Sequence, residues 1–223
     1  HTRFRNVTGV QTCALPICTP VSVVRAATDV TLSRDHRDEG EYREALTIIR
    51  GQARSMSRLV EDMLVLSRAE AGGYAIQPVD LYLDELVAEC RQSIDVLASD
   101  RNVTIQVQSP ADLPFRGDEE LLRRCVVNVM KNAVQHTPPG GTVDVELQPE
   151  GSLVRIRVTD HGPGIAAKDR ERIFDRFVQL DPARRGEGTG VGLPIARWIA
   201  EAHGGTLLLE RSDGAGSSFV ITV

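Results

Sequence analysis

The sequence predicts an α+β protein in which a helical hairpin precedes an α/β sandwich. Two rows of mostly apolar residues, each spaced seven apart, mark a long helix over about residues 41–71. Further along the chain, alternating apolar residues mark short strands. Helical patterns lie between these strands without the even rhythm of a parallel sheet, so a mixed sheet with helices on one face is the better prediction.

The composition sets bounds on this architecture. A chain of 223 residues allows one good-sized domain plus a smaller element. Hydrophobic residues make up 41% but aromatic residues only 4%, so the core must be built from aliphatic side chains. The formal net charge is −5 with no long basic run, which argues against nucleic acid as the main partner.

The cysteines indicate neither a disulfide framework nor a zinc site. Cys13, Cys18, Cys90 and Cys125 form no C-x-x-C pair, and a reducing cytosol is the expected compartment. No apolar run is long enough to cross a bilayer, so a membrane sensor region, if there is one, is expected outside this chain.

The first 18 residues stand apart from the rest. Residues 7–17, VTGVQTCALPI, contain a glycine and a proline, show no helical periodicity and occupy the place where the hairpin requires a helix start. This stretch resembles a sequencing adapter translated in one reading frame, which predicts that residues 1–18 are not native. The alternative is a genuine looped N-terminus, and the DNA sequence across the junction near Cys18 distinguishes the two.

Residues 19–72 are predicted to form the hairpin. A first helix reaches about Arg34, a charged turn spans residues 35–40, and the second helix is closed by glycines after Ala71. The two heptad rows of the second helix are Tyr42, Ile49, Met56 and Met63, and Ala45, Gln52, Leu59 and Leu66. Such a face is most economically buried against a second copy, with packing on the chain's own second domain as the alternative.

Residues 75–223 are predicted to form the sandwich. Its elements, in order, are an amphipathic helix from Asp84, a strand at 103–107, a helix capped by Asp118, strands at 143–147 and 154–158, a short helix over 170–177, a helix ending at His203, and strands at 206–210 and 219–223. The polar stretch 178–187 suits a mobile lid, with an ordinary surface loop as the alternative.

The strand at 154–158 leads into Asp160-His161-Gly162-Pro163-Gly164. Glycines at a strand end let the backbone approach a ligand closely, while the carboxylate offers two acceptors to an N–H donor such as an exocyclic amine. Taken alone, the motif is more typical of an ordinary turn than of a ligand site.

Two further motifs favour a ligand site. Asn128 and Asn132 lie four apart on a predicted helix, where two amide oxygens can share one hard cation, and Gln135 and His136 follow about one turn on. Downstream, a glycine-rich loop opens a helical pattern whose free N–H groups favour an anion. That loop contains Gly188, Gly190, Gly192 and Leu193.

The order of these motifs, with a phenylalanine-containing turn at 174–177 between them, resembles the ATP-binding catalytic domain of sensor histidine kinases. That domain belongs to the ATPase superfamily of gyrase B, Hsp90 and MutL, and the resemblance covers residues 75–223. The hairpin, which ends in DMLVLSRA at 62–69, resembles the dimerisation and phosphoacceptor hairpin of the same family. The resemblance implies a Bergerat-type ATP-binding sandwich, a homodimer held by a four-helix bundle, and bacterial two-component signalling through a phosphorelay.

The resemblance also implies roles for individual residues. Asp160 would accept a hydrogen bond from the adenine amine, Gly162 and Gly164 would let the loop close on the base, and Ser218 would support Asp160 through water. Asn128 and Asn132 would hold Mg²⁺ against the phosphates.

Other contacts to the nucleotide are implied less specifically. Gln135 and His136 stand where relatives often have Lys and Tyr, and each is as well explained as a solvated helix-end residue. Phosphate contacts are expected from the arginines Arg176, Arg184 or Arg185 and from the backbone of Gly188, Gly190, Gly192 and Leu193.

The residue that accepts phosphate in this family is missing. Relatives carry a His-Glu-x-x-Thr-Pro motif whose His takes the γ-phosphoryl of ATP and passes it to an Asp of a response regulator receiver domain. Thr19-Pro20 fits the end of that motif, which places the acceptor at Leu15, followed by Pro16. Thr19 matches the residue that relatives use to orient water for dephosphorylation, with a helix N-cap as the structural alternative.

We therefore expect this chain to bind Mg-ATP without autophosphorylating, and its intact parent to be a sensor histidine kinase. The chain would be the cytoplasmic portion of a parent anchored in the inner membrane. One alternative is an ATPase or serine-phosphorylating relative from the superfamily, against which the heptad hairpin argues. Another is a non-catalytic dimeric module that binds nucleotide as a structural ligand, which Leu15 favours if it is native.

Overall fold

The computed structural model describes residues 8–34, 36–72, 74–151, 153–180 and 189–223, with the backbone alone for residues 8–16 and 70. A helical hairpin is followed by an α/β sandwich, which confirms the predicted fold class. The helices are α1 (Thr8–Leu32), α2 (Glu39–Glu70), α3 (Leu83–Asp100), α4 (Glu119–His136) and α5 (Gly192–Ala202). The strands are β1 (Val79–Tyr82), β2 (Thr104–Gln108), β3 (Pro114–Gly117), β4 (Thr142–Glu150), β5 (Leu153–Asp160), β6 (Thr206–Asp213) and β7 (Gly216–Thr222). In the part of the chain so described, no helix combines the length and apolarity needed to cross a membrane.

The turn of the hairpin is fixed by polar contacts at both helix ends. Asp38 caps α2 by accepting a hydrogen bond from Glu41 N at 2.8 Å, and the Glu41 side chain reaches back to Asp38 N in a capping box. Arg37 pairs with Glu41 at 2.9 Å and donates to the carbonyl of Thr31 at 3.0 Å, so it satisfies the C-terminal end of α1. One arginine thus joins the two helix ends across the turn.

Helix α1 begins earlier than the sequence predicts. It runs from Thr8 through the stretch we expected to lack helical structure. An apolar row at three- and four-residue steps, Val10, Ala14, Ile17, Val21 and Val24, continues through this stretch. The prediction that this stretch lacks helical structure is wrong. The prediction that residues 1–18 are not native stays a prediction.

The two heptad rows of α2 are used differently. Ala45, Leu59 and Leu66 are buried. Leu59 and Leu66 belong to the cluster that includes the sandwich core, so the alternative of packing on the chain's own second domain holds for these two residues. Tyr42 of the other row is 39% exposed. Further apolar side chains of the hairpin are also open to solvent, among them Val21, Val30, Leu32, Leu46, Val60 and Leu64.

The sandwich is built on a five-stranded mixed sheet in the order β2-β4-β5-β7-β6. β2 and β4 are parallel, and every other neighbouring pair is antiparallel. Along β5 the predicted apolar residues Val154, Ile156 and Val158 are buried under the helices. The alternation that predicted the strand therefore also identifies the face that the helices cover.

The opposite face of the sheet carries ion pairs. Arg157 on β5 contacts Glu146 on β4 at 3.1 Å and Glu210 on β6 at 3.0 Å. Cross-strand pairs of opposite charge on a half-exposed surface suit the solvent side of a sheet. This face is not part of the apolar core.

Two short strands lie outside the main sheet and were not predicted. β1 and β3 pair antiparallel, with Val79 opposite Gly117. They place the segment that follows the hairpin next to the start of α4. Each strand has only four residues and pairs with a strand on the other side of α3, so neither run is long enough to be identified as a strand from sequence.

The hairpin packs on the sandwich. Leu59 and Leu66 of α2 belong to the same buried cluster as the sandwich core, and Asp62 forms an ion pair with Arg124 of α4. Burial raises the pKa of the Asp62 carboxyl, an effect that Arg124 opposes. Beyond the hairpin, the rings of Tyr74 and Trp198 meet edge to face at 5.1 Å.

Truncation of Leu59 tests this packing. We expect Leu59→Ala to lower the free energy of unfolding by about 2–5 kcal/mol, because it removes a buried side chain and leaves a cavity. In the control Leu208→Ala on β6, where the side chain is 55% exposed, the loss should stay below about 1 kcal/mol. Urea unfolding followed by circular dichroism measures both, and equal losses would contradict the placement of Leu59 in the core.

Candidate functional site

The three motifs that the sequence singled out meet in space. A β-carbon on Gly162 would stand 2.5 Å from the carbonyl oxygen of His136, so the Asp-Gly loop lies against the end of α4. A β-carbon on Gly192 would stand 3.6 Å from Cγ of Asn128, so the start of α5 lies beside the middle of α4. The site is therefore bounded by α4, the loop after β5 and the first turn of α5.

Asp160 lies at the inner end of this site. It is the last residue of β5 and only 2% exposed. Its Oδ1 accepts hydrogen bonds from Gly162 N at 2.9 Å and from Ser217 N at 3.2 Å. Both bonds go to Oδ1, and within the described residues no hydrogen bond to Oδ2 is found, so one oxygen is fixed by the protein and the other is left for a different donor.

Burial raises the pKa of this carboxyl. Desolvation raises the pKa of Asp160 above its ordinary value of 3.8, and the N–H groups of Gly162 and Ser217 oppose that rise, as do His136 and His161. The two N–H donors orient the carboxylate as a hydrogen-bond acceptor. Because the group is buried, little water is available to stabilise its charge.

The β7 residue that donates directly to Asp160 is Ser217, which no sequence motif indicated. The register of β5 and β7 places Ser217 opposite Asp160 and Ser218 opposite Thr159. The hydroxyl of Ser218 lies 3.0 Å from that of Thr159. Ser217 thus supports Asp160 directly, whereas the support through water that we expected from Ser218 stays a prediction. The register of β5 against β7, which no local sequence pattern shows, decides which serine lies opposite Asp160.

A hydroxyl network continues behind Ser217. Its Oγ lies 3.0 Å from Oγ of Ser212, and Ser212 in turn accepts a hydrogen bond from Ile165 N at 2.6 Å. Because both serines are buried, this network ties the loop after Asp160 to strands β6 and β7.

Glycines make these close approaches possible. Gly164 has a φ of 74°, and a β-carbon there would overlap the carbonyl oxygen of Asp213. Gly216 has a φ of 134°, and a β-carbon there would overlap the carbonyl oxygen of Asp160. Any side chain at either position would push β6 and β7 away from the Asp160 loop.

Helix α4 supplies the amide groups. Asp118 caps it as predicted, accepting a hydrogen bond from Leu121 N at 3.1 Å, and Asn128 and Asn132 follow one turn apart with half-buried side chains. Gln135 and His136 lie in the last turn and are also half-buried.

The first turn of α5 supplies backbone donors. Its N-cap, Val191, makes no side-chain cap hydrogen bond, and helix geometry leaves the N–H groups of Gly192 and Leu193 without carbonyl partners in the helix. The loop before it is held by Phe177 N, which donates to Gly190 O at 2.8 Å. This arrangement favours an anion beside Asn128.

Three of the residues expected to contact phosphate are outside the part of the chain that the structure describes, and a fourth lies at another place. Arg184, Arg185 and Gly188, with most of the predicted lid, lie outside the described residues. Arg176 is exposed and lines a cavity between the hairpin and α5 that also includes Leu66 and Trp198.

The expected phosphoacceptor region lies on the hairpin. Position 15 falls within α1, where the backbone alone is described. Thr19 is exposed in the interior of the same helix, so the alternative of a helix N-cap is wrong. The predicted helix over 170–177 is replaced by two short 3₁₀ turns, Ala167–Asp169 and Arg172–Phe174.

Comparisons with known proteins agree on both parts of the chain. Residues 117–223 match the family model of histidine kinase-, DNA gyrase B- and HSP90-like ATPases, and residues 17–72 match the His Kinase A (phospho-acceptor) domain. The sensor histidine kinase CusS of Escherichia coli is 34% identical over 93% of this chain and 43% of its own length.

Two solved structures extend the comparison. The mycobacterial sensor histidine kinase MprB is 30% identical, with a TM-score of 0.55 over 67% of this chain and 97% of the other. ShkA in complex with AMPPNP is 25% identical, with a TM-score of 0.72 over 96% of this chain and 45% of the other.

Alanine at two left-handed glycines tests the packing around Asp160. Gly140 and Gly164 have φ values of 84° and 74°, but a β-carbon on Gly140 would meet nothing within 4 Å. We expect Gly140→Ala to lower the free energy of unfolding by about 1–2 kcal/mol from backbone strain alone. Gly164→Ala should cost at least about 2 kcal/mol more, because it also displaces the Asp213 backbone. Urea unfolding compares them, and similar losses would contradict the close approach of β6.

Proposed function

The chain belongs to the sensor histidine kinases of two-component systems, and from this membership we propose that it is the kinase portion of such a sensor. The Asp160 site would bind Mg-ATP. In the intact parent, the γ-phosphoryl of ATP would pass to a histidine of the hairpin and then to an aspartate of a response regulator. The chain spans 43% of CusS, so the activity of the whole protein is part of the proposal.

The half-satisfied carboxylate of Asp160 carries the proposal. Its Oδ1 is held by two backbone N–H groups, while Oδ2 has no hydrogen bond from the described residues. A buried carboxylate with one oxygen left over fits a ligand that brings its own N–H donor, as the exocyclic amine of adenine does. The match of residues 117–223 to an ATPase family model, and the AMPPNP in the related ShkA structure, support ATP as that ligand.

The phosphates would lie between α4 and α5. The N–H groups at Gly192 and Leu193 and the positive end of the α5 dipole suit their charge. Asn128 and Asn132 fit Mg²⁺ as neutral oxygen ligands that leave the charge of the ion for the phosphates. Within the described residues no cluster of three His, Cys, Asp or Glu side chains offers a cation site without them.

The hairpin would make the protein a homodimer. A domain of the phosphoacceptor type implies dimerisation, and the exposed apolar side chains of α1 and α2 give a second copy a surface to cover. We propose that a receiver domain also docks on this hairpin, and that the parent reaches the membrane through a sensor region outside this chain.

The residue at position 15 determines whether this chain can phosphorylate itself. Autophosphorylation needs an imidazole nitrogen in line with the β–γ bond, and Leu15 has none. We therefore propose that this chain binds Mg-ATP but does not phosphorylate itself. A non-catalytic, nucleotide-binding dimer is the second candidate function, and Leu15 is the observation that favours it.

Substitution of Asp160 tests nucleotide binding. Asp160→Asn replaces the open oxygen with an amide NH2 group, which donates hydrogen bonds but cannot accept one, so we expect ATP to bind about 10- to 100-fold more weakly. The control is Asp95→Asn on α3, a half-exposed carboxylate 3.6 Å from Arg91, which should leave affinity unchanged. Isothermal titration calorimetry with ATP and Mg²⁺ measures both, and equal affinities for Asp160→Asn and wild type would contradict the proposal.

The raised pKa of Asp160 predicts a dependence on pH. As the pH falls toward 3.8, Asp160 takes up a proton before an ordinary Asp would, so wild-type affinity for ATP should fall. The stability effect has the opposite sign, because a raised pKa in the folded state favours folding when the group is protonated. Relative to Asp160→Asn, the wild type should therefore gain stability on acidification while its advantage in affinity disappears. An advantage that persists at acid pH would contradict the role of the carboxylate charge.

A further inference from the structure

His203 makes contacts that the proposed reaction does not use. It is the residue that follows α5, and its half-buried ring has hydrogen bonds on both nitrogens. Nδ1 lies 2.8 Å from the carbonyl oxygen of Ile199 in the same helix. Nε2 lies 3.0 Å from the backbone nitrogen of Asp118, at the start of α4.

The two partners assign the ring proton. A carbonyl oxygen can only accept, so Nδ1 must carry the hydrogen. A backbone N–H can only donate, so Nε2 must be bare. The ring is therefore neutral and held in one tautomer by two backbone groups that do not titrate. Lysine or arginine could not replace it, because neither side chain has an acceptor.

The hydrogen bond between His203 and Asp118, called here the His203 bridge, is one of several contacts through which Asp118 joins three segments. The Asp118 carboxylate caps α4 through Leu121 N at 3.1 Å and accepts from Gln77 N, in the segment that follows the hairpin, at 2.9 Å. The ring of His203 also closes the space beside Gly117, where a β-carbon would stand 2.9 Å from Cδ2. The start of α4 is thus fixed both to the end of α5 and to the chain that leaves the hairpin.

Helices α4 and α5 pack antiparallel, so the hydrogen bond between His203 and Asp118 lies at the end of this helix pair that is far from the site. The start of α5, at Gly192, lies beside Asn128 in the middle of α4, and the end of α5 meets the start of α4 through His203. A shift of α4 along α5 would change the spacing between the amide of Asn128 and the N–H groups of Gly192. The His203 bridge opposes that shift.

We propose that His203 is a positioning residue whose neutral, Nδ1-protonated ring sets the register of α4 against α5 and thereby the spacing of the phosphate and metal groups. The effect on nucleotide rests on the proposed function. The ring tautomer and the helix register do not, and they are tested separately.

The direct test uses the wild-type chain with ¹⁵N-labelled histidine. A long-range ¹H–¹⁵N correlation spectrum at neutral pH should show Nδ1 protonated and Nε2 bare for His203. A signal with Nε2 protonated, or a rapidly exchanging mixture of tautomers, would overturn the proposal without any variant.

Two substitutions then separate positioning from simple stability. His203→Leu removes the acceptor for Asp118 N, whereas the amide oxygen of His203→Gln can still accept that hydrogen bond. We expect the Leu variant, in its folded form, to show shifted backbone amide signals at Asn128 and Gly192 and about tenfold weaker ATP binding. The Gln variant should restore both to near the wild-type values.

Other results would contradict the positioning role of His203. A folded Leu variant with lower thermal stability but unchanged signals at Asn128 and Gly192 would reduce His203 to a structural residue. A wild-type chain that binds no ATP would refute the proposed function, and the tautomer and amide signals would still decide the role of His203. If the Leu variant does not fold, the wild-type tautomer and the signals of the Gln variant decide it.

Discussion

The buried carboxylate of Asp160 is the constraint on which the rest of the site depends. Burial of a carboxyl that is 2% exposed disfavours its charged form, and the structure offsets this with two backbone N–H groups that donate to one oxygen. One donor comes from the loop that follows β5 and the other from β7, so the register of β5 against β7 and the tight loop are both required. Gly164 and Gly216 are needed for the same reason, since a β-carbon at either position would overlap a backbone carbonyl.

The second requirement is that α4 and α5 lie in a fixed register. The metal and phosphate groups that we propose come from different helices, Asn128 and Asn132 from α4 and the first-turn N–H groups from α5. Gly192 lies beside Asn128 at one end of this pair of helices, and the hydrogen bond between His203 and Asp118 joins the other end. The hairpin contacts the same α4 through Asp62 and Arg124, and burial together with the charge of Arg58 lowers the pKa of Lys131 beside them. The helix that carries the amides is therefore held by both parts of the molecule.

The structural features that depend on local sequence patterns were predicted correctly. The alternation in β5, the cap at Asp118 and the heptad pattern of α2 are all found, because each depends on residues close together in the chain. Contacts between distant segments were missed. β1 pairs with β3 across a whole helix, and Ser217 meets Asp160 only through the register of β7. The second heptad row was expected to face another copy, yet Leu59 and Leu66 are covered by the chain's own sandwich, which no pattern within α2 could show. The roles of the nucleotide-binding residues remain predictions.

The central claim is that this nucleotide site is competent and that transfer fails only because an acceptor is missing. It is tested most directly with ATP labelled on its γ-phosphate, in the presence of Mg²⁺, on the chain as it stands and on a double variant with Leu15→His and Pro16→Glu. We predict acid-labile, base-stable label on the double variant alone. Label on the unsubstituted chain would show that another residue accepts phosphate and that the placement of the acceptor at position 15 is wrong. Absence of label from both would contradict the claim and leave nucleotide binding without transfer as the function of this chain.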